Sequence, residues 1–334
     1  MLRRINEKLL VGQSLDAEDC HEFVDSLENN VSEIELAAFL SLLRKKKETP
    51  QEMSFLAKAL RKKGSKVTAA FPCLDIVGTG GDGEHTYNIS TTASILAAAC
   101  GAKVAKHGSR ASSSKCGSAD LIEALGIRLD TTASHSHELL RKLGICFLFA
   151  PIYNSVLKPL VPVRKALGFR TTFNFMGPML NPASPKYMLL GVSNPEYIPL
   201  FVETLQETGV ERGFVFHGPG LDELACFGAS EGVFFDGKTM EERVVDPKNL
   251  GFPTHPLSSI QGGDVEVNVR AFRNVLQGER GAFFDTVVLN AGYGLYIAKI
   301  RSTIEESLTL AESVLASGSA YELVEKWVEY DKLS

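Results

Sequence analysis

The sequence predicts an α/β protein, with a small N-terminal helical domain followed by a larger α/β domain built on a central, mostly parallel sheet. Two patterns predict it. Residues 2–63 place apolar side chains at helical spacing, as in Leu36, Leu40 and Leu43. From Phe71 onward, short apolar runs alternate with helical segments. Strands that alternate with helices are typical of a parallel sheet covered on both faces.

The helical part contains two clear start signals. Ser32 is followed three positions later by Glu35, and Thr49 is followed by proline and then Glu52. Both are capping-box patterns, and proline suits the first turn of a helix. The first 65 residues are therefore predicted to be helical.

The rest of the chain contains seven candidate strands. They cover residues 74–77, 103–105, 145–149, 187–192, 213–217, 232–235 and 286–289. We expect a helical domain over residues 1–65 and an α/β domain over residues 70–330. Part of the proline-rich segment 155–185 is expected to join the helical domain as a hinge or crossover.

Composition excludes several classes of protein. The 334 residues carry a net charge of −5, which gives no bulk reason to expect a nucleic-acid or membrane partner. Neither a signal peptide nor an uninterrupted apolar run of 18 residues is evident. Six scattered cysteines without a C-x-x-C pair indicate reduced, mostly buried thiols. We expect a cytoplasmic protein.

A glycine-rich loop, G-T-G-G-D-G at 78–83, follows the first candidate strand. Glycines allow positive φ and close approach to a ligand, and convergent N–H groups can bind phosphate oxygens. Gly78, Gly80 and Gly83 formally match the dinucleotide fingerprint, but the next strand ends in Lys106 instead of an acid.

A Walker loop would require Lys and Ser/Thr after the last glycine, and a turn without a ligand would not need four glycines with flanking acids. Another kind of diphosphate loop is favoured.

Polar residues then begin a helix. Asn88, Ser90 and Thr91 are suitable N-cap residues, and hydroxyl groups at a helix N-terminus are also well placed for phosphate or Mg²⁺. Both interpretations can hold together.

A basic, hydroxyl-rich segment follows the second strand at 106–114, beginning with Lys106. Ligands of open α/β sheets bind beyond the carboxyl ends of strands, where both this segment and the glycine loop are expected. The alternative is a solvated polar loop. Beside a diphosphate loop, a phosphate-binding role is favoured.

An adjacent acid pair, Asp222 and Glu223, follows a later strand. Alone, such a pair is usually a solvated surface or a helix start. Mg²⁺ typically takes one or two carboxylates and completes its shell with water and substrate phosphate. Next to a phosphate site, the pair becomes a candidate Mg²⁺ site.

Together these blocks resemble the anthranilate phosphoribosyltransferase family. The family's hallmarks appear as G-T-G-G-D at 78–82, N-x-S-T at 88–91, a K-H-G-x-R block with serines at 106–114, a G-S-A-D helix at 117–126 and the D-E pair at 222–223. Residues 164–171 and 173–182 resemble its hinge segment. The resemblance spans residues 10–330.

The resemblance implies a nucleoside phosphorylase/phosphoribosyltransferase-like fold, a homodimer, and transfer of a phosphoribosyl group from phosphoribosyl pyrophosphate to anthranilate in tryptophan biosynthesis, with Mg²⁺. The residues it assigns to the sugar donor are Gly78, Gly81, Asp82, Thr86, Asn88, Ile89, Ser90, Thr91, Lys106, His107, Gly108, Ser109, Arg110, Ala111, Ser112, Ser113, Ser114 and Ser118. Those assigned to anthranilate are Gly78, Ser109 and Arg164, and those assigned to Mg²⁺ are Ser90, Asp222 and Glu223. Arginine is suited to bidentate recognition of a carboxylate.

The sequence departs from the family pattern at two positions. Ser109 replaces an asparagine and Asn154 replaces a histidine, both where the acceptor is expected. Two alternatives remain. The first is a pyrimidine nucleoside phosphorylase, which is expected to be a longer chain with a further C-terminal domain. The second is a non-enzymatic nucleic-acid-binding relative of this fold, and such relatives lack the glycine loop that is present here at 78–83.

Overall fold

The computed structural model describes residues 2–111 and 114–333. Four helices open the chain: α1 (Arg3–Leu10), α2 (Ala17–Glu28), α3 (Glu33–Lys46) and α4 (Pro50–Lys63). Thr49 and Glu52 form the complete capping box of α4. At α3, the Ser32 hydroxyl accepts the Glu35 N–H, but the Glu35 carboxylate accepts the N–H of Leu2. That carboxylate therefore ties α3 to the start of the chain.

The described residues form one seven-stranded sheet. Its strands are β1 (Leu74–Gly78), β2 (Val104–Gly108), β3 (Ile145–Phe149), β4 (Tyr187–Gly191), β5 (Arg212–His217), β6 (Ser230–Asp236) and β7 (Thr239–Val245). The spatial order is β3-β2-β1-β4-β5-β6-β7. The first five strands of that order are parallel, while β6 and β7 pair antiparallel at one edge. The mixed, mostly parallel sheet and the small helical part confirm the predicted fold class.

The remaining helices follow β1 along the chain. They are α5 (Ile89–Ala99), α6 (Ser118–Ala124), α7 (Ala133–Lys142), α8 (Ala150–Tyr153), α9 (Leu160–Leu167), α10 (Ile198–Glu207), α11 (Val265–Leu276), α12 (Ala282–Ile297), α13 (Ile304–Ala316) and α14 (Ser319–Leu333). Among the described residues, no helix combines the length and apolarity needed to cross a membrane.

The two faces of the sheet belong to different hydrophobic clusters, because successive side chains of a strand point in opposite directions. Leu189 of β4 and Phe214 of β5 pack in the larger cluster with residues of α5 and α12. Their neighbours Leu190 and Val215 pack in the second cluster, which also contains the N-terminal helices.

The segment expected to act as a hinge packs in the second cluster. Leu160 and Val163 of α9 lie there with Phe173 and the N-terminal helices. The Phe23 and Phe39 rings of α2 and α3 stack with centroids 3.9 Å apart. Residues distant in sequence thus complete the core around the first helices.

Two elements differ from the sequence prediction. Residues 286–289 lie inside α12 instead of forming a strand. Nearly every residue of α12 is buried, so its apolar run lacks the polar face by which a surface helix is recognised. Strand β7 has no counterpart among the predicted strands, because it lies at the sheet edge with its first four residues exposed.

Candidate active site

The glycine loop begins where β1 ends. Gly80, Gly81 and Gly83 have φ values of +71°, +83° and +89°, which residues other than glycine rarely adopt. Within the described part of the chain, the N–H groups of Gly81, Asp82 and Gly83 donate to no protein acceptor. Successive free N–H groups of this kind form a concavity that suits an anion.

Asp222 lies directly against this loop. Its Oδ2 accepts the N–H of Gly80 at 2.5 Å, across 142 positions of sequence. Gly78 and Gly191, which are register partners in β1 and β4, both face Asp222 so closely that a Cβ on either would overlap it. Glycine at the ends of two neighbouring strands therefore makes room for the acid.

The acids form a buried concentration of negative charge. Asp222 and Glu223 are only 8% and 9% exposed. Burial, and then the nearby charge of Asp82, raises the pKa of Asp222 above its ordinary range. Burial and the charge of Asp222 likewise raise the pKa of Glu223. Both shifts indicate that the carboxylates lack sufficient positive charge around them.

Lys106, in the middle of β2, supplies part of that positive charge. It is 4% exposed, and its Nζ donates to the carbonyl oxygen of Ile76 at 2.7 Å and lies 3.5 Å from the Ser90 hydroxyl. Burial lowers the pKa of Lys106, and the charges of Asp75, Glu223 and Asp222 oppose that shift.

The described residues contain no group of three or more His, Cys, Asp or Glu side chains arranged to hold a metal ion. The donor set nevertheless suits Mg²⁺, since the Ser90 hydroxyl lies beside Lys106 and the Ser90 backbone favours the charged form of Glu223, next to Asp222. A hard cation bound by two carboxylates and a hydroxyl would need water and phosphate oxygens to complete its shell.

Asn88 occupies the N-cap position of α5 but makes no side-chain capping hydrogen bond. Its Oδ1 instead accepts from Asn268 Nδ2 at 2.9 Å, and its Nδ2 donates to the Cys116 carbonyl at 3.1 Å. Asn268 is 3% exposed, and its own Oδ1 accepts the N–H of Gly263 at 2.8 Å. The Asn88 amide therefore links the start of α5 to the segment that contains Cys116 and, through Asn268, to the segment that contains Gly263.

The basic segment is divided between two environments. His107 is buried, with Nδ1 3.1 Å from the Gly177 carbonyl and Nε2 3.2 Å from Asn154 Nδ2. This pairing assigns the proton to Nδ1, and burial lowers the pKa of His107 to about 4. By contrast, Arg110 is exposed and forms ion pairs with Asp120 and Glu123 of α6.

The other residues predicted to bind the sugar donor have the following contacts. The Ser118 hydroxyl donates to the carbonyl of Ser109, and a Cβ at Gly108 would overlap Ser118. Thr86 forms a β-bridge with Gln261, and Ile89 and Thr91 are buried in α5. The Ala111 N–H donates to the Asp120 carboxylate, and the Ser114 hydroxyl donates to the Cys116 carbonyl. Ser112 and Ser113 lie outside the described residues.

Arg164 belongs to α9. Its buried Nε has no hydrogen-bond partner among the residues the structure describes, and burial lowers its pKa. A buried guanidinium nitrogen without an acceptor is costly, and a ligand carboxylate would satisfy it.

Sequence reasoning assigned no role to three residues that support the site. Asp75 is fully buried behind Lys106 and accepts from Asn181 Nδ2 at 2.8 Å. Asn268 holds Asn88, and Arg170 donates to the carbonyl groups of Gly80 and Gly81. A polar residue in an otherwise apolar strand was the available signal for Asp75. Asn268 does not stand out from its local sequence, and Arg170 is marked only by its place in the segment 164–171 that resembles the family's hinge.

Two family models match the two parts of the chain. The family model described as "Glycosyl transferase family, a/b domain" matches residues 71–321, and "Glycosyl transferase family, helical bundle domain" matches residues 3–64. These matches define the class of the protein, a glycosyl transferase built from those two domains.

Individual relatives narrow the class. The chain is 38% identical to anthranilate phosphoribosyltransferase from Chlamydia felis, over 99% of this chain and 97% of the relative. The crystal structure of the Thermus thermophilus enzyme of that name has a TM-score of 0.92 at 40% identity, covering 98% of this chain and 99% of its own. The chain belongs to the anthranilate phosphoribosyltransferase family.

A more distant structure carries ligands. Anthranilate phosphoribosyltransferase from Saccharomyces cerevisiae, in complex with PRPP and Mg, has a TM-score of 0.89 at 27% identity and covers 98% of this chain and 97% of its own. The yeast protein is also known in complex with 4-fluoroanthranilate. These relatives do not favour the phosphorylase or nucleic-acid-binding alternatives.

Proposed function

We propose that the protein transfers the phosphoribosyl group of phosphoribosyl pyrophosphate to anthranilate, giving N-(5-phosphoribosyl)anthranilate and diphosphate in tryptophan biosynthesis. One observation carries the proposal. The Asp222 carboxylate accepts the Gly80 N–H at 2.5 Å, so the acid pair and the glycine loop form one site.

The donor half would bind the sugar diphosphate through backbone N–H groups and Lys106. Gly81, Asp82 and Gly83 present N–H groups without a described protein acceptor, and Lys106 adds a buried positive charge. Anions bind where N–H groups converge near a cation. We assign the other predicted donor residues to the same site by the family resemblance.

Mg²⁺ would be held by Ser90, Asp222 and Glu223. The raised pKa values of both acids support this assignment, because a nearby divalent cation would favour their charged forms. When bound, Mg²⁺ would neutralise part of the negative charge that grows on the leaving diphosphate.

The acceptor half would use Arg164, Gly78 and Ser109. The partnerless Nε of Arg164 supports binding of the anthranilate carboxylate. Asn154 and His107 hold each other, so the His107 ring offers no free N–H to the acceptor.

The chemistry requires orientation more than proton transfer. An aromatic amine is neutral at pH 7, so no strong base is needed to activate it. As the bond to diphosphate breaks, positive charge develops on the sugar and negative charge on the leaving group. The chain's own contribution would be to align the reactants and to donate fixed hydrogen bonds to that growing negative charge.

We further propose that the protein is a cytoplasmic homodimer. All six cysteines are unpaired and five are buried, which supports a reducing compartment. Helices α1, α3 and α9 expose the apolar side chains Leu10, Ile34 and Val161, and Ile34 is 83% exposed. Light scattering after size exclusion should give twice the chain mass, and Ile34→Glu should shift it toward one chain.

A direct assay tests the activity. The protein is mixed with phosphoribosyl pyrophosphate, Mg²⁺ and anthranilate, and the loss of anthranilate fluorescence is followed. We expect loss only when all three are present. Orthophosphate-dependent cleavage of thymidine or uridine would support the phosphorylase alternative. A DNA mobility shift at about 0.15 M salt would support nucleic-acid binding.

A further inference from the structure

Arg170 lies across the glycine loop. Its Nη2 donates to the carbonyl oxygen of Gly80 at 3.0 Å, and its Nη1 donates to that of Gly81 at 3.1 Å. The guanidinium approaches so closely that a Cβ at Gly81 would overlap it. One planar group thus holds two successive carbonyls.

These two hydrogen bonds determine where the next N–H groups point. In a trans peptide, the C=O of one residue and the N–H of the following residue lie in one plane and point in opposite directions. Fixing the carbonyls of Gly80 and Gly81 therefore fixes the N–H groups of Gly81 and Asp82, directed away from Arg170. Those two N–H groups have no protein acceptor within residues 2–111 and 114–333.

The loop needs such a restraint. Gly80 and Gly81 both adopt positive φ, and glycine loses more conformational freedom on ordering than any other residue. The Gly80 N–H is held by Asp222 on one side, and its carbonyl is held by Arg170 on the other. Without Arg170, the peptide unit between Gly80 and Gly81 would lose the contact that sets its rotation.

Arg170 is itself anchored to the helical part of the protein. It follows α9, whose C-cap residue Gly168 adopts the left-handed conformation. Two residues further on, the buried Thr172 donates its hydroxyl to the Glu48 carboxylate, just before α4. The restraint on the loop is therefore held from the N-terminal helices.

We propose that Arg170 is a positioning residue for the sugar donor. It orients the N–H groups of Gly81 and Asp82 toward the place where the diphosphate binds, without being a ligand itself. This inference rests on the proposed function for its ligand, phosphoribosyl pyrophosphate. Lysine could not replace it fully, because an ammonium is a point donor and the guanidinium is a planar, two-pronged one.

The test combines hydrogen exchange with donor binding. The variants are Arg170→Ala, Arg170→Lys and the control Arg141→Ala, which removes an exposed arginine paired with Glu138 on α7. Exchange of the Gly81 and Asp82 amides is measured in the full-length protein without ligand. Calorimetry with phosphoribosyl pyrophosphate and Mg²⁺ then gives the donor Kd, and steady-state assays give both KM values.

We expect Arg170→Ala to speed exchange at both amides and to raise the donor Kd about tenfold, as loss of paired hydrogen bonds implies. The acceptor KM should change little, Arg170→Lys should be intermediate, and Arg141→Ala should match the wild type.

Weaker donor binding with unchanged exchange would make Arg170 a direct ligand and overturn the proposal. Faster exchange with an unchanged donor Kd would overturn it as well. If the wild-type protein bound no sugar donor, the proposed function itself would be refuted. The exchange rates, measured without ligand, would still show whether Arg170 orders the glycine loop.

Discussion

The two proposed halves of the candidate site, one for the sugar donor and one for the acceptor, are built differently. In the donor half, Asp222, Glu223 and Lys106 are each less than a tenth exposed and are joined to one another and to the glycine loop by hydrogen bonds and charge. In the acceptor half, Arg164 keeps a buried nitrogen without a partner among the described residues. The donor half is an interlocked network in which one change affects several groups. In the proposed acceptor half, Arg164 is the one charged residue, so a change to it should be local.

The largest expected effect comes from removing both acids of the donor half. Asp222→Ala with Glu223→Ala should lower kcat about 1000-fold, because transition-state charge would lose its counter-ion and the glycine loop would lose its contact. Saturating substrates and a Mg²⁺ titration measure this. The matched control is Glu241→Ala with Glu242→Ala, an exposed acid pair on β7. Near wild-type Mg²⁺-dependent turnover would remove the metal role from Asp222 and Glu223.

The burial of His107 makes the stability of the protein depend on pH. Its pKa in the folded protein, about 4, lies below its ordinary value of 6.5, so the unfolded chain binds the extra proton between those values. The free energy of unfolding should therefore be unaffected by His107 above pH 6.5 and fall as pH drops from 6.5 toward 4, by about 3 kcal/mol.

Urea unfolding at pH 7 and pH 4.5 compares the wild type with His107→Gln. The variant should lose less stability between the two pH values, whatever its stability at pH 7. An equal loss in both proteins would show that other groups control this pH range.

The acceptor half should respond to Arg164→Ala through one kinetic constant. We expect the KM for anthranilate to rise about 10- to 100-fold, the cost of a lost hydrogen bond to a charged group, with the donor KM little changed. Lys165→Ala, which removes the neighbouring exposed cation, is the control. If the donor KM moves instead, Arg164 belongs to the donor half and the contrast between the halves fails.

The smallest effect is expected from Asn268→Ala, behind the donor half. It leaves the Asn88 Oδ1 without its donor and should raise the donor KM by about tenfold or less, with a loss of about 1–3 kcal/mol in stability. Asn274→Ala, at an exposed position of the same helix, is the control. A raised acceptor KM alone would contradict the role of Asn268.

Local sequence predicts the glycine loop but not its contact with Asp222. Glycines after an apolar strand, hydroxyls at a helix start and the Thr49 capping box are short-range signals, and each appears at its expected place. The contact of Gly80 with Asp222 spans 142 positions, and no local pattern encodes it. At the level of sequence, the two motifs are related only by the expectation that Mg²⁺ accompanies a diphosphate and by the family resemblance.

The differences from prediction have physical causes too. The strand predicted over residues 286–289 is wrong because α12 is buried on nearly all sides and so lacks helical periodicity. Asn88 has a side chain suited to capping α5, but its amide is used by Asn268 and Cys116, whose positions depend on the tertiary fold. The Arg170 side chain reaches the loop from a segment 89 positions away.

The order in which the core is completed bears on synthesis of the chain. Helices α1–α4 bury their apolar side chains against Leu160, Val163 and Phe173, which follow roughly a hundred residues later. At ribosomal rates of about 5–20 residues per second, the first helices would wait on the order of ten seconds for those partners. Nascent chains arrested before residue 155 should therefore be sensitive to protease, and the helical part should become resistant only after residue 180 has emerged.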